Sequence, residues 1–151
     1  MSATTRRPRP GETHGVDYWF LSDEEFDERV RAGEFVEHAE YSGRRYGTLR
    51  SELETRGSAG RPVVLEIEVQ GARQVRAALP DMVQVFIAPP SRDALRARLI
   101  GRGTDDPEQV ERRLATAERE LEAQGEFTRV VVNDRLEDAV DELEAIVRSA
   151  I

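Results

Sequence analysis

No cysteine occurs among the 151 residues, which excludes disulfides and thiolate metal ligands and points to a reducing cytoplasm as the natural compartment. Lysine is missing as well: all 22 basic residues are arginine. No side chain can therefore act as the lysine of a glycine-rich phosphate loop, and no Gly-x-x-x-x-Gly run is present either. No apolar stretch approaches membrane-spanning length, and no signal-peptide pattern opens the chain. The net charge is −8, so the basic excess of a nucleic-acid binder is lacking. Aromatic residues amount to 6% and are not interleaved with the arginines as base-stacking platforms would be. These absences argue against a membrane protein and an RNA-binding module.

What remains is a chain long enough for one domain with a real core. Its 34% charged and 38% hydrophobic residues are those of a soluble globular protein. There is no internal repeat and no low-complexity segment, and residues 57–60 read as a loop, not a domain linker. The basic residues cluster early, as Arg6, Arg7 and Arg9. Pro8 and Pro10 fix φ and bias their neighbours towards extended backbone, so these guanidinium groups sit on a stiff loop. Such a loop is either a solvated basic arm or a seat for a dianionic phosphate, which planar forks grip with paired, charge-assisted hydrogen bonds.

Taken in order, residues 2–5 read as the end of a strand and 18–21 as a short aromatic strand. Ser22-Asp23-Glu24-Glu25 has the form of a capping box, opening a helix to about Ala32 with Phe26 and Val30 on one face and Gly33 as its stop. Residues 35–41 alternate with period two and 45–48 return as their partner through a turn at Ser42-Gly43, giving a small, mostly antiparallel insertion over 16–48. A short helix runs from 48 to about 56. The run 62–67 is nearly all apolar, the pattern of a strand covered on both faces. A helix over 71–79 and a second buried strand over 83–88 follow. Pro89-Pro90-Ser91 caps a helix from 92 to about 101, and Asp106-Pro107-Glu108-Gln109 begins another with a thin stripe of Val110, Leu114, Ala117 and Leu121. A third buried strand over 129–132 leads to a final helix with Ala139, Leu143, Ile146 and Val147 inward. Strands alternating with helices imply an α/β fold with a parallel sheet flanked by helices.

Ligands of such sheets collect at the carboxyl ends of strands. There Glu66 and Glu68, two apart and hence on one face, serve either a metal-bound water or base edge, or a solvated strand end. Arg98 and Arg102 share a helical face, with Arg113 on the next helix. Gly101, Gly103 and Thr104 supply the flexible connection a closing lid needs. His14 and His38 have no partners at ligand spacing and read as surface residues.

The order of these pieces closely resembles that of guanylate kinases over the whole chain. The resemblance is carried by Thr4-Thr5-Arg6 with Pro8-Arg9 and Gly11-Glu12, Gly15-Val16-Asp17-Tyr18, Phe35-Val36-Glu37, Tyr46-Gly47-Thr48 and Leu65-Glu66-Ile67-Glu68-Val69-Gln70-Gly71. It continues through Ala88-Pro89-Pro90-Ser91, Arg98 with Gly101-Arg102-Gly103-Thr104, Arg113-Leu114 and Val131-Val132-Asn133-Asp134. It implies a P-loop-kinase-like sheet over 1–151, with a GMP-binding subdomain at 6–48, a lid at 98–113 and the remainder as core. It further implies that Ser2, Arg6, Arg9, Tyr18 and Tyr46 grip the phosphate of GMP while Glu37 and Thr48 read guanine. Arg98, Arg102 and Arg113 would neutralise the transferring phosphoryl group, and Asn133 would contact the adenine of ATP. Glu66 and Glu68 would lie near the nucleotide and its Mg²⁺, although the family usually has the shorter aspartate at the position of Glu68. Thr128 also departs from the aspartate common there.

The family begins with a strand, a phosphate loop ending in Gly-Lys-Ser/Thr, and a helix, and none of these is in the 151 residues. The expectations are accordingly a guanylate kinase whose beginning is missing, weak or inactive as it stands, or a non-catalytic module of the same kind that binds GMP or a protein partner. An absent strand would also leave neighbours unpaired, so a marginally stable or self-associating chain is expected.

Overall fold

The computed structural model describes residues 1–41, 43–58, 60, 62–101 and 107–150. The chain forms two compact units, Met1–Met82 and Val83–Ile151. In the first, β1 (Ser2–Thr4), β2 (Tyr18–Phe20), β3 (Phe35–Tyr41) and β4 (Arg44–Leu49) make a four-stranded sheet in the order β2-β1-β4-β3. β1 runs parallel to β2 and antiparallel to β4, and β4 is antiparallel to β3.

Between β2 and β3 lies α1 (Asp23–Arg31), which starts where the local chemistry demands. Glu25 N–H donates to the Ser22 hydroxyl at 3.1 Å and Ser22 N–H donates to the Glu25 carboxylate at 2.7 Å, a complete capping box. The helix ends at Gly33, whose φ of 70° is costly for any residue with a side chain. Its Phe26 stacks on Phe35, ring centroids 4.5 Å apart, and these two with Ala3 and Leu49 form the buried cluster, flanked by Trp19, Leu21 and Val30. One face of the sheet is thereby spent on the core. His38 lies on that face opposite Gly47. It is half-buried with its ring 5.9 Å from Phe35 and 6.3 Å from Phe26, not on the surface as its isolation in the sequence suggested.

α2 (Arg50–Gly57) follows β4, and α3 (Val69–Ala78) packs on β3. Gln74 of α3 seals the free edge of β3: its amide accepts from His38 N–H at 3.1 Å and donates to His38 C=O at 2.7 Å, as a neighbouring strand would. Residues 62–67, expected as a covered strand, belong to no sheet, and Val64 is 74% exposed. A continuous apolar run becomes a strand only when a neighbour takes up its ladder hydrogen bonds, and among the described residues no strand pairs with this one.

The second unit has β5 (Val85–Ala88) parallel to β6 (Arg129–Val132), the parallel element the alternating pattern implied. α4 (Arg92–Gly101) and α5 (Pro107–Glu122) share a cluster of Leu99, Val110 and Leu114 with Leu95 against it. α6 (Leu136–Ala150) closes the chain after β6. Ala94 N–H donates to the Ser91 hydroxyl at 3.1 Å, the cap expected there. Only one side of β6 is covered: Val131 is buried, whereas Val130 and Val132 are exposed, so this strand is less enclosed than its composition suggests. Ser42, Ala59, Arg102, Gly103, Thr104 and the helix start at Asp106 lie outside the described residues.

Candidate functional site

The face of the first sheet that is not used for the core carries a row of polar side chains. Residues directly opposite on neighbouring strands point to the same face. Glu37 is opposite Thr48, Thr48 opposite Ser2, and Ser2 opposite Tyr18. The row therefore runs across all four strands, a span of roughly 14 Å at the usual strand spacing. The next row on this face is Ala39, Tyr46, Thr4 and Phe20. Five of the candidate residues, scattered over 47 positions of sequence from Ser2 to Thr48, thus converge on one surface.

A shift of register makes this possible. Phe35 faces Leu49, yet Glu37 faces Thr48, so the chain carries an extra residue at Val36. Without that bulge Phe35 and Glu37 would share a face. With it, Phe35 enters the core and the carboxylate turns to the polar side.

Glu37 is 4% exposed and Thr48 2%. The Thr48 hydroxyl donates to Glu37 Oε1 at 2.6 Å. Burial pushes the Glu37 carboxyl above its ordinary range and the nearby charge of Glu68 adds to this, against the opposing hydrogen bond from Thr48.

At the other end of the row stands Arg6. Its Nη1 and Nη2 each donate to one oxygen of Glu12 at 2.9 Å, and Nη1 also donates to the Arg7 carbonyl at 2.8 Å. The guanidinium carbon lies 5.4 Å from the centre of the Tyr18 ring and 5.6 Å from that of Phe20. These contacts engage three of the five N–H donors, and the Tyr46 hydroxyl is a further hydrogen-bonding neighbour of the guanidinium. Glu12 also accepts from Arg9 N–H at 2.7 Å, so one carboxylate holds Arg6 by its side chain and Arg9 by its backbone. Arg6 first, then the Arg9 N–H, hold the Glu12 carboxyl down at about 2. Sequence reasoning quoted Glu12 only as part of a motif. The available signal was an acid closing a turn of Pro8, Pro10 and Gly11 that begins at an arginine. The Arg9 side chain itself is exposed.

The two acids expected on one strand face part company. Glu66 is exposed and lines a cleft of about 510 Å³ together with Ser2, Tyr18, Thr48 and Glu52. Glu68 instead caps α3, accepting from Gln70 N–H at 2.7 Å and closely from Gly71 N–H. Because residues 62–68 join no sheet, alternation no longer dictates a common direction. Among the described residues no three acidic or histidine side chains converge to hold a metal.

In the second unit, Arg98 donates from Nη1 to the Asn133 carbonyl at 2.7 Å and from Nη2 to that of Asp134 at 3.0 Å. Two candidate positions are thus joined, through the backbone that follows β6. Arg113 is half-buried on α5, and Arg102 lies outside the described residues.

Comparison with known proteins places the chain in a family. The guanylate kinase family model matches residues 1–150. The chain is 56% identical to the guanylate kinase of Streptomyces coelicolor over 146 residues, covering 97% of this chain and 74% of that protein. It is 52% identical to that of a Synechococcus species over 144 residues, covering 95% and 76%. The crystal structure of guanylate kinase from Anaplasma phagocytophilum superposes with a TM-score of 0.79 at 35% identity, covering 98% of this chain and 72% of that one.

Proposed function

Because the chain belongs to the guanylate kinase family, we propose that it takes part in the transfer of the γ-phosphate of ATP to GMP, giving GDP. The observation that carries the substrate assignment is the single row Glu37, Thr48, Ser2, Tyr18 with Arg6 at its far end. It offers a buried carboxylate at one end and a fixed guanidinium at the other, the two poles of a purine monophosphate.

Recognition of guanine follows from donor counting. In the free protein the one Thr48 proton is given to Glu37. Guanine brings two N–H donors on adjacent atoms, from the ring and the exocyclic amine, which satisfy the ionised carboxylate and release the Thr48 proton to the ring oxygen. Adenine presents a lone pair at the corresponding ring nitrogen and lacks that amine, so Glu37 would be left buried and unmatched. Such a mismatch costs about 1 to 3 kcal/mol, enough for discrimination of roughly ten- to hundredfold.

Ser2, Arg6, Arg9, Tyr18 and Tyr46 then hold the phosphate, with Arg6 fixed in advance by Glu12 and the aromatic rings. Arg98, Arg102 and Arg113 neutralise charge on the transferring group and Asn133 meets adenine. These assignments make 98–113 the lid and 6–48, extended to include Ser2, the GMP-binding part. The reaction is in-line displacement, in which the protein contributes positioning and charge stabilisation. Mg²⁺ enters with ATP. A carboxylate such as Glu66, exposed in the cleft beside Ser2 and Tyr18, would help to hold the metal, which would neutralise charge on the phosphates. The cytoplasm, where nucleoside phosphates are made and used, is the compartment this reading implies. No helix among the described residues is long and apolar enough to cross a membrane.

The test is phosphorus NMR of ATP mixed with each acceptor. Formation of GDP that disappears on Glu37→Ala and is not matched by ADP formation from AMP supports the assignment. Equal use of GMP and AMP would refute it.

A further inference from the structure

Gly71 occupies the first turn of α3 with ordinary helical backbone, not at a positive φ. Nothing in its conformation calls for glycine, and glycine is a poorer helix former than alanine. The reason for it lies outside the helix. A methyl group built on Gly71 would stand 2.6 Å from Glu37 Oε2, 3.3 Å from Glu37 Cδ and 3.0 Å from Glu68 Oε1. The Glu37 carboxylate is therefore seated directly on the bare Cα of Gly71. On its other side Thr48 Oγ1 holds Oε1 at 2.6 Å, and the whole side chain is enclosed.

From this we infer that Gly71 is a specificity-determining position: it supplies the seat that fixes the aim of Glu37, without itself touching the base. The inference rests on Glu37 being the guanine reader. A methyl group at 71 collides with the tip of a side chain, not with backbone, so the fold can yield by moving the carboxylate. That displacement falls on the two oxygens that would accept from guanine. The neighbouring Glu68 is less free to move, because it is tied to Gln70 N–H and Gly71 N–H as the helix cap.

The experiment is calorimetric titration of the full chain and its Gly71→Ala variant with GMP, IMP and AMP, beside a thermal melt. IMP keeps the ring N–H and oxygen of guanine and lacks only the exocyclic amine, so the GMP-over-IMP ratio reads the aim of Glu37. Gly71→Ala is expected to weaken GMP by about tenfold or more, in the range of a misaligned buried polar contact, and IMP, which keeps one of the two donors, by less, while AMP changes little and the melting temperature holds or rises. An unchanged GMP-over-IMP ratio, or an equal loss for all three nucleotides, would overturn the inference.

A double-mutant cycle with Glu37→Asp guards against a purely structural effect. Shortening the side chain should cost much of the GMP preference in the parent and little in the Gly71→Ala background, and additive costs would overturn the inference. Should Gly71→Ala lower the melting temperature, Glu37→Asp in the same chain restores it if collision is the cause; no restoration overturns the inference. Glu37→Ala separates the two levels: if it too leaves the GMP preference intact, the reading of Glu37 as guanine reader fails, and the inference with it.

Discussion

Glu37 is costly to the free protein. Its carboxyl is raised above the ordinary 4.5 chiefly by burial, and a raised value means that the folded state holds the proton more tightly than the unfolded one. That contribution to stability is fully present below about pH 4.5 and is lost as pH rises through the folded value. Glu37→Gln, which keeps an acceptor for Thr48 and removes the charge, is expected to raise the melting temperature at pH 7, to leave it nearly unchanged at pH 4, and to weaken GMP. A melt lower than the parent's at neutral pH would contradict this account. Glu12 has the opposite sign. Held at about 2 by Arg6 and the Arg9 N–H, it contributes stability above its ordinary range near 4.5 that is lost as pH falls towards 2. Carbon NMR of the Glu12 carboxyl should show its midpoint near 2 in the folded chain and near 4.5 on unfolding. Glu12→Gln should weaken GMP by about tenfold through loss of a charge-assisted fork. The arginine cluster was legible in the sequence because proline and arginine act locally. The partner that fixes Arg6 was not, since Glu12 lies beyond two prolines and becomes a neighbour only when Gly11, at φ 90°, turns the loop back.

The elements divide in the same way between local and non-local causes. α1 is written in consecutive letters, and its bounds, cap and stop agree with the capping box and Gly33. Ser22→Ala should lower stability by about 1 kcal/mol, and Phe26→Ala, which removes the ring stacked on Phe35, by about 3 to 5 kcal/mol. Denaturant melts measure both, and a loss for Phe26→Ala below that for Ser22→Ala would show the core to lie elsewhere. Residues 62–68 show the limit of pattern reading: apolar continuity proposes a strand, but pairing depends on a neighbour that composition cannot display. The bulge at Val36 is a subtler case. Strict alternation over 35–41 puts Phe35 and Glu37 on one face, whereas the observed register assigns one to the core and the other to the site. The candidate residues could thus be gathered by resemblance, but their common row required the sheet.

Over the whole molecule, apolar side chains stay uncovered at Val64, Val132 and Leu136, while a net charge of −8 keeps copies apart. Screening that charge with salt, or titrating it towards the isoelectric point near 4.9, removes the opposition. Sedimentation velocity should therefore show association that grows with concentration and with ionic strength, and a monomer with a concentration-independent melt throughout would contradict this. Every group proposed to hold GMP is an arginine, an acid or a hydroxyl, and recognition of the monophosphate is the proposal on which the others depend. The most direct test is accordingly binding. Calorimetric titration of the chain with GMP should give a saturable one-site heat, AMP at the same concentration should give none, and Glu37→Ala should abolish the GMP signal. Equal heats from GMP and AMP, or a GMP signal that survives Glu37→Ala, would contradict the account.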